Sequence, residues 1–264
     1  MLDGYQIAIP SYRRSRICAD ATIATLIRYG IDLKRVTVWV ANEDEAVDYV
    51  AALPTEVTVK VAVLGKVNAQ RYYHSQYPKG TPLVNLDDDL YDIHQKIGEK
   101  LEPLSVTLDE VIRTGFSVAE RVGAKLWGIN AVANGFFLSD SITVGLRYIC
   151  GNIYGNYAGD EAILGDRVTA GSSGDDYETT LRSYILNGSV VRLDYLCPIT
   201  KYFAPGGIDA ELKTAGIEDR QIDHKAALEK IAQAYPDLAK TYTKAGGITN
   251  LRLKTITHLK IGRP

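Results

Sequence analysis

Residues 81–93 read TPLVNLDDDLYDI, in which a short apolar run is followed by three consecutive aspartates. Residues 83–86 have the length and composition of a buried strand, so the acids stand where that strand ends. Adjacent carboxylates repel one another, and folding alone gives no reason to place them there. Two explanations are open at this point: a divalent cation held by carboxylate oxygens, or a solvated acidic turn.

The sequence on the N-terminal side places this strand in a sheet, because strand-like runs alternate with apolar residues at helical spacing. The predicted strands are residues 5–9, 36–40, 57–64 and 83–86, and the predicted helices are residues 17–29, 43–53 and 68–77, with Asn42 as the N-cap of the second helix. This alternation predicts an α/β fold with a mostly parallel, Rossmann-type central sheet and helices on both faces. Ligands bind such sheets at the carboxyl ends of the strands, where the aspartates lie.

The rest of the chain continues the alternation less regularly. Helices are predicted at residues 104–122, 177–186 and 225–235, strands at residues 124–129, 139–150 and 190–196, and a terminal strand in the basic tail 251–264. Residues 151–176 are rich in Gly, Asn and Asp, which predicts a loop-rich region. The sequence has no internal repeat, low-complexity block or linker, so one domain over residues 1–264 is expected.

The composition is that of a globular protein and excludes several classes. The 264 residues are 46% hydrophobic and 23% charged, with a formal net charge of −2. Such a chain has no general attraction for nucleic acid or anionic membranes, so binding to a polyanion needs a local basic patch. No stretch approaches the roughly 20 apolar residues of a membrane span. Three widely spaced cysteines favour reduced thiols, and no leader pattern is present, so a soluble cytoplasmic protein is expected.

Basic and polar side chains follow two other predicted strands. The segment SYRRSR (residues 11–16) comes after the first strand, and Lys66, Asn68 and Arg71 come after the third. Arginine suits bidentate contacts with phosphate, so these groups could neutralise a diphosphate or a DNA backbone. Taken alone, SYRRSR is also compatible with a solvated helix start. Phosphate- or metal-compatible residues at three of these four strand ends are harder to explain by surface composition.

A later segment, GSSGDDYETTLRSYILNG (residues 171–188), places acids at a helix start. Asp175, Asp176 and Glu178 there are typical of helix capping and of charge that complements the helix dipole. One of the two aspartates could instead be a general base that takes a proton from an attacking hydroxyl.

Two further features have a functional and a plain interpretation. In KYFAPGGI (residues 201–208), Gly206 and Gly207 would let the backbone approach a phosphate or a sugar, or they form an ordinary turn. His224 could supply an imidazole ligand to a metal if it lies near the aspartates, and is otherwise a surface histidine.

Several segments together resemble one family of enzymes. They are IAIPSYRRSRIC (residues 7–18), VTVWVANEDEAVDYV (36–50), GTPLVNLDDDL (80–90), GINAVANGFFL (128–138), DDYETTLRSYILNGSVVRLDY (175–195) and TKYFAPGGI (200–208). From residue 7 to the C-terminus the sequence is similar to the TET-associated glycosyltransferases, which are typically phage enzymes related to the base J glucosyltransferase. The combination of IPSYxR with DDD is the most specific part, and the C-terminal third is looser.

The resemblance implies a single GT-A-like glycosyltransferase domain, with a nucleotide-sugar-binding half (residues 1–100) and an acceptor-binding half (residues 101–264). It implies a UDP-sugar donor, most commonly UDP-glucose, a Mn²⁺ or Mg²⁺ ion, and a hydroxymethylated pyrimidine in DNA as the acceptor. By analogy, the metal ligands would be Asp87, Asp89 and His224, and the donor contacts would be Pro10, Ser11, Tyr12, Arg13, Arg16, Lys66, Asn68, Arg71, Asp87, Asp88, Gly206 and Gly207. Asp175 or Asp176 would be the catalytic base, and residues 130–136 would approach the donor sugar or the acceptor.

A DNA acceptor requires a local basic patch and surfaces that stack on an extruded base. The candidate cations are Arg13, Arg14, Lys201, Arg252, Lys254, Lys260 and Arg263, and the candidate stacking residues are Tyr72, Tyr73 and Tyr202. Three alternatives stay open. They are a glycosyltransferase with a small-molecule, lipid or polysaccharide acceptor, a nucleotidyltransferase, and a non-catalytic binding module. A nucleotidyltransferase usually has a Gly-rich phosphate loop, which SYRRSR lacks, and the intact DDD argues against a non-catalytic module.

Overall fold

The computed structural model describes residues 4–169, 173–200, 217–244 and 247–263. The strands are β1 (Gln6–Pro10), β2 (Val36–Val40), β3 (Thr58–Val61), β4 (Pro82–Leu86), β5 (Leu90–Ile97), β6 (Lys100–Pro103), β7 (Trp127–Ile129), β8 (Ser141–Leu146), β9 (Ile153–Tyr157), β10 (Val190–Leu193), β11 (Leu196–Thr200), β12 (Ala239–Thr243), β13 (Thr249–Leu253) and β14 (Ile256–Gly262). The helices are α1 (Ser15–Cys18), α2 (Ala24–Arg28), α3 (Glu43–Ala52), α4 (Lys66–Ser75), α5 (Leu108–Val122), α6 (Glu161–Leu164), α7 (Asp175–Asn187) and α8 (Ile217–Ala234), and a π-helical segment, Ala19–Ile23, joins the first two.

Nine of these strands form one central sheet in the order β14-β8-β10-β7-β9-β4-β1-β2-β3. β1 pairs in parallel with β2 and β4, β2 pairs in parallel with β3, and β7 pairs in parallel with β10. β8 and β9 are antiparallel to each of their neighbours, so the other seven strands run in one direction. The mostly parallel sheet predicted from the sequence is confirmed, and the carboxyl ends of β1–β4 meet at the same end of the sheet.

Alternate residues of the central strands face two different helical layers. In β1, Ile7 and Ile9 are fully buried in a layer that also contains side chains of α1, α2, α3 and α5. Ala8 faces the opposite layer, where Trp39 of β2 stacks on Tyr73 of α4 with ring centroids 5.7 Å apart. Each fully buried isoleucine contributes about 1.5–3 kcal/mol to folding. Helices therefore cover both faces of the sheet, as predicted.

Trp127 of β7 lies between two glycines. A β-carbon at Gly115 of α5 or at Gly155 of β9 would overlap the indole ring, so the ring fits only because both positions lack a side chain. Phe116 packs edge-on against the same ring with centroids 5.5 Å apart. The indole thus joins α5 to the middle of the sheet.

Residues 151–176, predicted to be loop-rich, also contain two regular elements that were not predicted. This region contains β9, which lies inside the central sheet between β4 and β7, and the short helix α6. Two features of β9 imitate a loop: Gly155 makes room for Trp127, and Asn156 is buried, where its Oδ1 accepts a 3.0 Å hydrogen bond from Asn85 Nδ2. β5 and β6 were not predicted, and the strand predicted at 190–196 divides into β10 and β11.

The last part of the chain forms a hairpin and an edge strand. The β12–β13 hairpin packs on α8, where Ala239 and Leu251 are buried with Leu228, Ile231 and Leu181 of α7. β14 pairs with β8 at the edge of the central sheet, so the tail predicted as one strand forms two. Within the described ranges, no helix is long and apolar enough to cross a bilayer.

Candidate active site

A cleft of about 750 Å³ opens at the carboxyl ends of β1–β4. Of the residues singled out from the sequence, those that line it are Pro10, Ser11, Tyr12, Arg14, Lys66, Asp87, Asp88, Asp89, Asp175, Asp176 and His224, together with Ala131 and Val132 of the segment 130–136. The side chains of the three consecutive aspartates are only 25%, 8% and 17% exposed. A solvated acidic turn is therefore excluded, and the carboxylates must be stabilised by partners within the protein.

Asp88 faces inward and holds the segment that follows β1. Its carboxylate accepts hydrogen bonds from Ser11 Oγ at 2.5 Å and from Arg14 Nη1 at 3.1 Å. Ser11 Oγ also lies 2.5 Å from the hydroxyl of Tyr49 on α3, and Arg14 Nη1 lies 3.4 Å from Asp89 Oδ2. Burial raises the pKa of Asp88, and the contacts with Ser11 and Arg14 oppose that rise. The SYRR segment and the aspartates are thereby tied into one unit.

Asp87 faces the cleft and is held by two partners. Its Oδ1 lies 3.2 Å from Lys66 Nζ, and its Oδ2 accepts a 3.2 Å hydrogen bond from Asn152 Nδ2. Lys66 Nζ also lies 4.0 Å from Asp175 Oδ2 on α7. Burial alone would lower the pKa of Lys66, but nearby carboxylates, that of Asp87 first among them, raise it well above its usual value. The ammonium group therefore stays charged and connects the end of β4 to α7.

The lack of a side chain at Gly151 leaves room for both Lys66 and Asp176. A β-carbon at this position would lie 2.7 Å from Asp176 Oδ1 and 3.0 Å from Lys66 Nζ. Any larger residue would push the two side chains apart, because carbon atoms do not approach polar atoms so closely. Asp176 Oδ2 also accepts a 3.3 Å hydrogen bond from the hydroxyl of Tyr148.

The acids at the start of α7 have separate surroundings. Glu178 is fully buried and accepts hydrogen bonds from the backbone N–H of Thr169 at 3.1 Å and from its hydroxyl at 2.5 Å, so it holds a neighbouring loop. Asp175 is buried and Asp176 is half-buried, and both line the cleft. Burial raises the pKa of Asp175 to about 7, helped by the charge of Asp176 and opposed by Lys66. Asp175 is thus suited to proton transfer near neutral pH.

Asp87 and Asp89 present the hard oxygen ligands that Mg²⁺ and Mn²⁺ prefer. In the part of the chain that the structure describes, no three His, Cys, Asp or Glu side chains are grouped to hold a metal ion. His224 lines the same cleft without forming such a group with the aspartates. The residues present therefore fit an ion that takes two carboxylates from the protein and completes its coordination with phosphate oxygens and water.

Arg13 and Arg16, predicted as donor contacts, do not line the cleft. Arg13 is exposed, has a left-handed backbone conformation with φ 54°, and pairs with Glu45 at 4.0 Å. Arg16 is exposed on α1. The arginine that enters the cleft is Arg14, and the run SYRRSR could not identify it without the geometry of the turn.

Asn68 and Arg71, two further predicted donor contacts, also lie outside the cleft lining. Both are exposed on α4, and Arg71 Nη2 donates a 2.7 Å hydrogen bond to the carbonyl of Leu164. Lys66 is the first residue of α4, and each following residue turns by about 100°, so positions two and five residues later face elsewhere. Gly206 and Gly207 lie outside the described residues.

Sequence reasoning missed a group of residues between β8 and β9. Tyr148, Gly151 and Asn152 all contribute to the cleft, and Tyr148 stacks on Tyr177 of α7 with ring centroids 4.3 Å apart. No motif marks them. The only signal is compositional: the chain has 17 tyrosines against 4 phenylalanines, and tyrosine suits clefts that use both a flat face and a hydroxyl.

The fold is shared with solved structures. Glucosyl-3-phosphoglycerate synthase from Mycobacterium tuberculosis, in complex with Mn²⁺, UDP-glucose and phosphoglyceric acid, matches with a TM-score of 0.51 and 10% identity over 98% of this chain and 90% of that one. Its complex with UDP matches with the same TM-score and coverage at 11% identity. The chain thus has a GT-A-like α/β fold. No family model and no curated protein matches the sequence.

Proposed function

We propose that this protein is a metal-dependent glycosyltransferase that moves a sugar, most simply glucose, from a UDP-sugar to an acceptor hydroxyl. The observation that carries the proposal is the arrangement at the end of β4, where Asp87 and Asp89 share one cleft with Lys66 and Asp176. The fold supports it, because the glucosyl-3-phosphoglycerate synthase that shares this fold is solved with Mn²⁺ and UDP-glucose. The resemblance to the TET-associated glycosyltransferases leads to the same reaction class.

The nucleotide of the donor fits the part of the cleft formed after β1 and β2. Ser11 and Tyr12 follow β1 there, and Trp39 of β2 forms part of the wall. A mostly apolar, aromatic wall with a few polar groups is typical of sites that hold a flat heterocycle. The diphosphate would then extend toward the aspartates.

The charges at the end of β4 support departure of the diphosphate. Asp87 and Asp89 would hold the divalent cation, which supplies charge neutralisation for the leaving group. Lys66 Nζ, 3.2 Å from Asp87 Oδ1, adds a fixed positive charge at the same place. Arg14 is bound to Asp88 and Asp89, so its part is to hold the aspartates in position.

Asp176 is the better placed of the two candidate bases. It is more open to the cleft than Asp175, and Tyr148 orients its carboxylate through a 3.3 Å hydrogen bond. The acceptor oxygen attacks the anomeric carbon of the sugar, the bond from that carbon to the phosphate oxygen breaks, and Asp176 takes the hydroxyl proton.

The acceptor in this proposal is the hydroxyl of a hydroxymethylated pyrimidine in DNA, as the resemblance implies, which places the reaction in the cytoplasm of a phage-infected cell. Of the two described tyrosines considered for base stacking, Tyr73 is buried against Trp39 and Tyr72 is 38% exposed, so Tyr72 is the more accessible of the two. Tyr202 and Lys201 lie outside the described residues.

Thermal unfolding with a panel of UDP-sugars, with and without Mn²⁺, tests the donor. We expect one UDP-sugar to raise the Tm by a few degrees only with the metal, since a ligand at about 100 times its Kd adds roughly 2.7 kcal/mol. Asp89→Asn should abolish the shift, and Asp48→Asn, which removes an exposed carboxylate on α3, should keep it. The proposal is wrong if the folded protein shows no shift, or if Asp89→Asn keeps it.

A transfer assay tests the acceptor. The protein is incubated with Mn²⁺, the radiolabelled donor, and two duplexes that differ only in one 5-hydroxymethylcytosine. We expect label in the modified duplex alone. Donor binding without label in either duplex would favour a small-molecule or polysaccharide acceptor instead.

A further inference from the structure

The C-terminal part of the chain is basic although the whole is not. Residues 239–264 contain six Lys and Arg and no Asp or Glu, whereas the remaining 238 residues contain 24 Lys and Arg against 32 Asp and Glu. A polyanion is therefore attracted to one region of the protein and repelled by the rest. The β12–β13 hairpin lies in this region.

The register of the hairpin collects its polar side chains on one face. Lys240 lies opposite Arg252 and Tyr242 lies opposite Asn250, so these four side chains share one face of the hairpin. Side chains alternate along a strand, so Lys244 lies on the same face. On the opposite face of the hairpin, Ala239 and Leu251 are buried against α8. We call the outward surface the hairpin face; its residues are Lys240, Tyr242, Lys244, Asn250 and Arg252.

The hairpin face is continuous with the cleft. Tyr242, Lys244 and Asn250 line the cleft wall. Asn250 Nδ2 lies 3.2 Å from the hydroxyl of Tyr242, and its Oδ1 accepts a 3.0 Å hydrogen bond from the hydroxyl of Tyr177. Tyr177 in turn stacks on Tyr148, which donates to Asp176. An acceptor held on the hairpin face is therefore placed beside the proposed base.

The spacing of the cations indicates the size of their ligand. Lys240, Lys244 and Arg252 are exposed, and the Arg252 guanidinium lies over the Tyr242 ring at 4.9 Å. Lys240 and Lys244 are four residues apart in an extended strand, which separates them by about 14 Å. One phosphate group cannot bridge that distance, whereas successive phosphates of a strand can meet both cations.

We propose that the hairpin face binds the phosphodiester backbone of a nucleic-acid strand and presents one of its nucleotides to the cleft. The inference rests on the proposed function for the sugar transfer itself and adds the surface on this chain that recognises the acceptor. The contacts are to phosphates, so binding needs no modified base and falls steeply with salt.

Fluorescence anisotropy with a labelled, unmodified 20-nucleotide single strand tests the proposal on the full chain. The variant Lys240→Gln/Lys244→Gln/Arg252→Gln is compared with Lys34→Gln/Lys100→Gln/Arg121→Gln, which makes the same charge change at exposed residues elsewhere. We expect the hairpin variant to bind at least 10-fold more weakly at 50 mM salt. Its plot of log affinity against log salt should be less steep by about 2, from the loss of three phosphate contacts. The control should bind within about 2-fold of the unchanged protein.

The outcomes separate this proposal from the proposed function. Equal weakening in both variants, or no weakening in the hairpin variant, overturns it. Phosphatidylserine vesicles are tested in parallel. If the protein floats with the vesicles only when the hairpin cations are intact, and does not bind the oligonucleotide, the hairpin face binds a membrane surface and the nucleic-acid proposal is overturned. The Mn²⁺-dependent Tm shift with a UDP-sugar is measured separately, so a retained shift with no oligonucleotide binding contradicts this inference alone.

Discussion

The two walls of the cleft hold charge in opposite ways. At the end of β4, each of the three aspartates lies within 3.4 Å of a cation, supplied by Lys66 or Arg14, and all are largely removed from solvent. On the hairpin face, the three cations are exposed to solvent. Buried charges act strongly on their fixed partners, whereas exposed charges act weakly and through their screened sum. The first wall can therefore position reacting groups, and the second can gather a partner without fixing it.

The largest effect should come from removing the cation of the first wall. Lys66→Met leaves the carboxylates of Asp87 and Asp175 buried without their counterion, and we expect the free energy of unfolding to fall by about 3 kcal/mol or more. Urea denaturation at pH 7 measures this. The exposed Lys34→Met should stay within about 0.5 kcal/mol. A loss below about 1 kcal/mol for Lys66→Met would mean that the two walls do not differ as described.

The first wall should also give an unusual dependence on pH. Asp175 has a folded pKa of about 7 against the ordinary 3.8, so between these values the folded state binds more protons and stability falls as pH rises. Asp175→Asn should remove on the order of 1–3 kcal/mol of this decline in urea unfolding between about pH 5 and pH 8. An unchanged dependence of stability on pH in Asp175→Asn would contradict this prediction. His74 has the opposite effect. Burial lowers its pKa from 6.5 to about 4, so its contribution makes the protein less stable as pH falls below 6.5.

A smaller effect tests how tightly the first wall is packed. Gly151→Ala would press on Asp176 and Lys66, and we expect the donor with Mn²⁺ to bind about 10-fold more weakly, which corresponds to about 1.4 kcal/mol. Isothermal titration measures the affinity. Gly4→Ala, at a position with open space around it, serves as the control. Equal donor affinity in both variants would show that Asp176 and Lys66 can shift to accept the added methyl group without loss of binding.

The smallest effect should come from a single change on the hairpin face. Lys244→Gln removes one exposed cation, and oligonucleotide affinity should fall about 3-fold at 50 mM salt. The free energy of unfolding should change by less than about 0.5 kcal/mol. A stability loss above 1 kcal/mol would place Lys244 among the fixed charges of the cleft instead.

The same contrast separates what the sequence could predict from what it could not. The end of β4 was predictable, because an apolar run, a strand order and three adjacent acids are all local signals. Asn42 was predicted as a helix cap and is one, with its side chain accepting from the backbone N–H of Glu45 at 2.9 Å. The choice of Arg14 over its neighbours was not predictable, since it depends on the left-handed residue at position 13.

β9 shows why the middle of the chain was misjudged. Gly155 makes room for Trp127 of β7, and Asn156 accepts a hydrogen bond from Asn85 of β4, so both residues are explained by contacts with other strands. Local propensity cannot register such partners. Tyr148 and Asn152 precede this strand and were missed with it, because their roles depend on contacts with α7 and with the end of β4.

The burial of Trp127 between two glycines has a practical consequence for fluorescence measurements on this protein in solution. The chain has two tryptophans; Trp127 is enclosed in the core by Gly115 and Gly155, and Trp39 forms part of the cleft wall. Both are buried, so the emission of both should respond to unfolding, and that of Trp39 should respond to donor occupancy as well. In the Trp39→Phe variant, the fluorescence of the remaining Trp127 reports unfolding of the core. Subtracting its signal from that of the unchanged chain gives a label-free reporter of the nucleotide pocket.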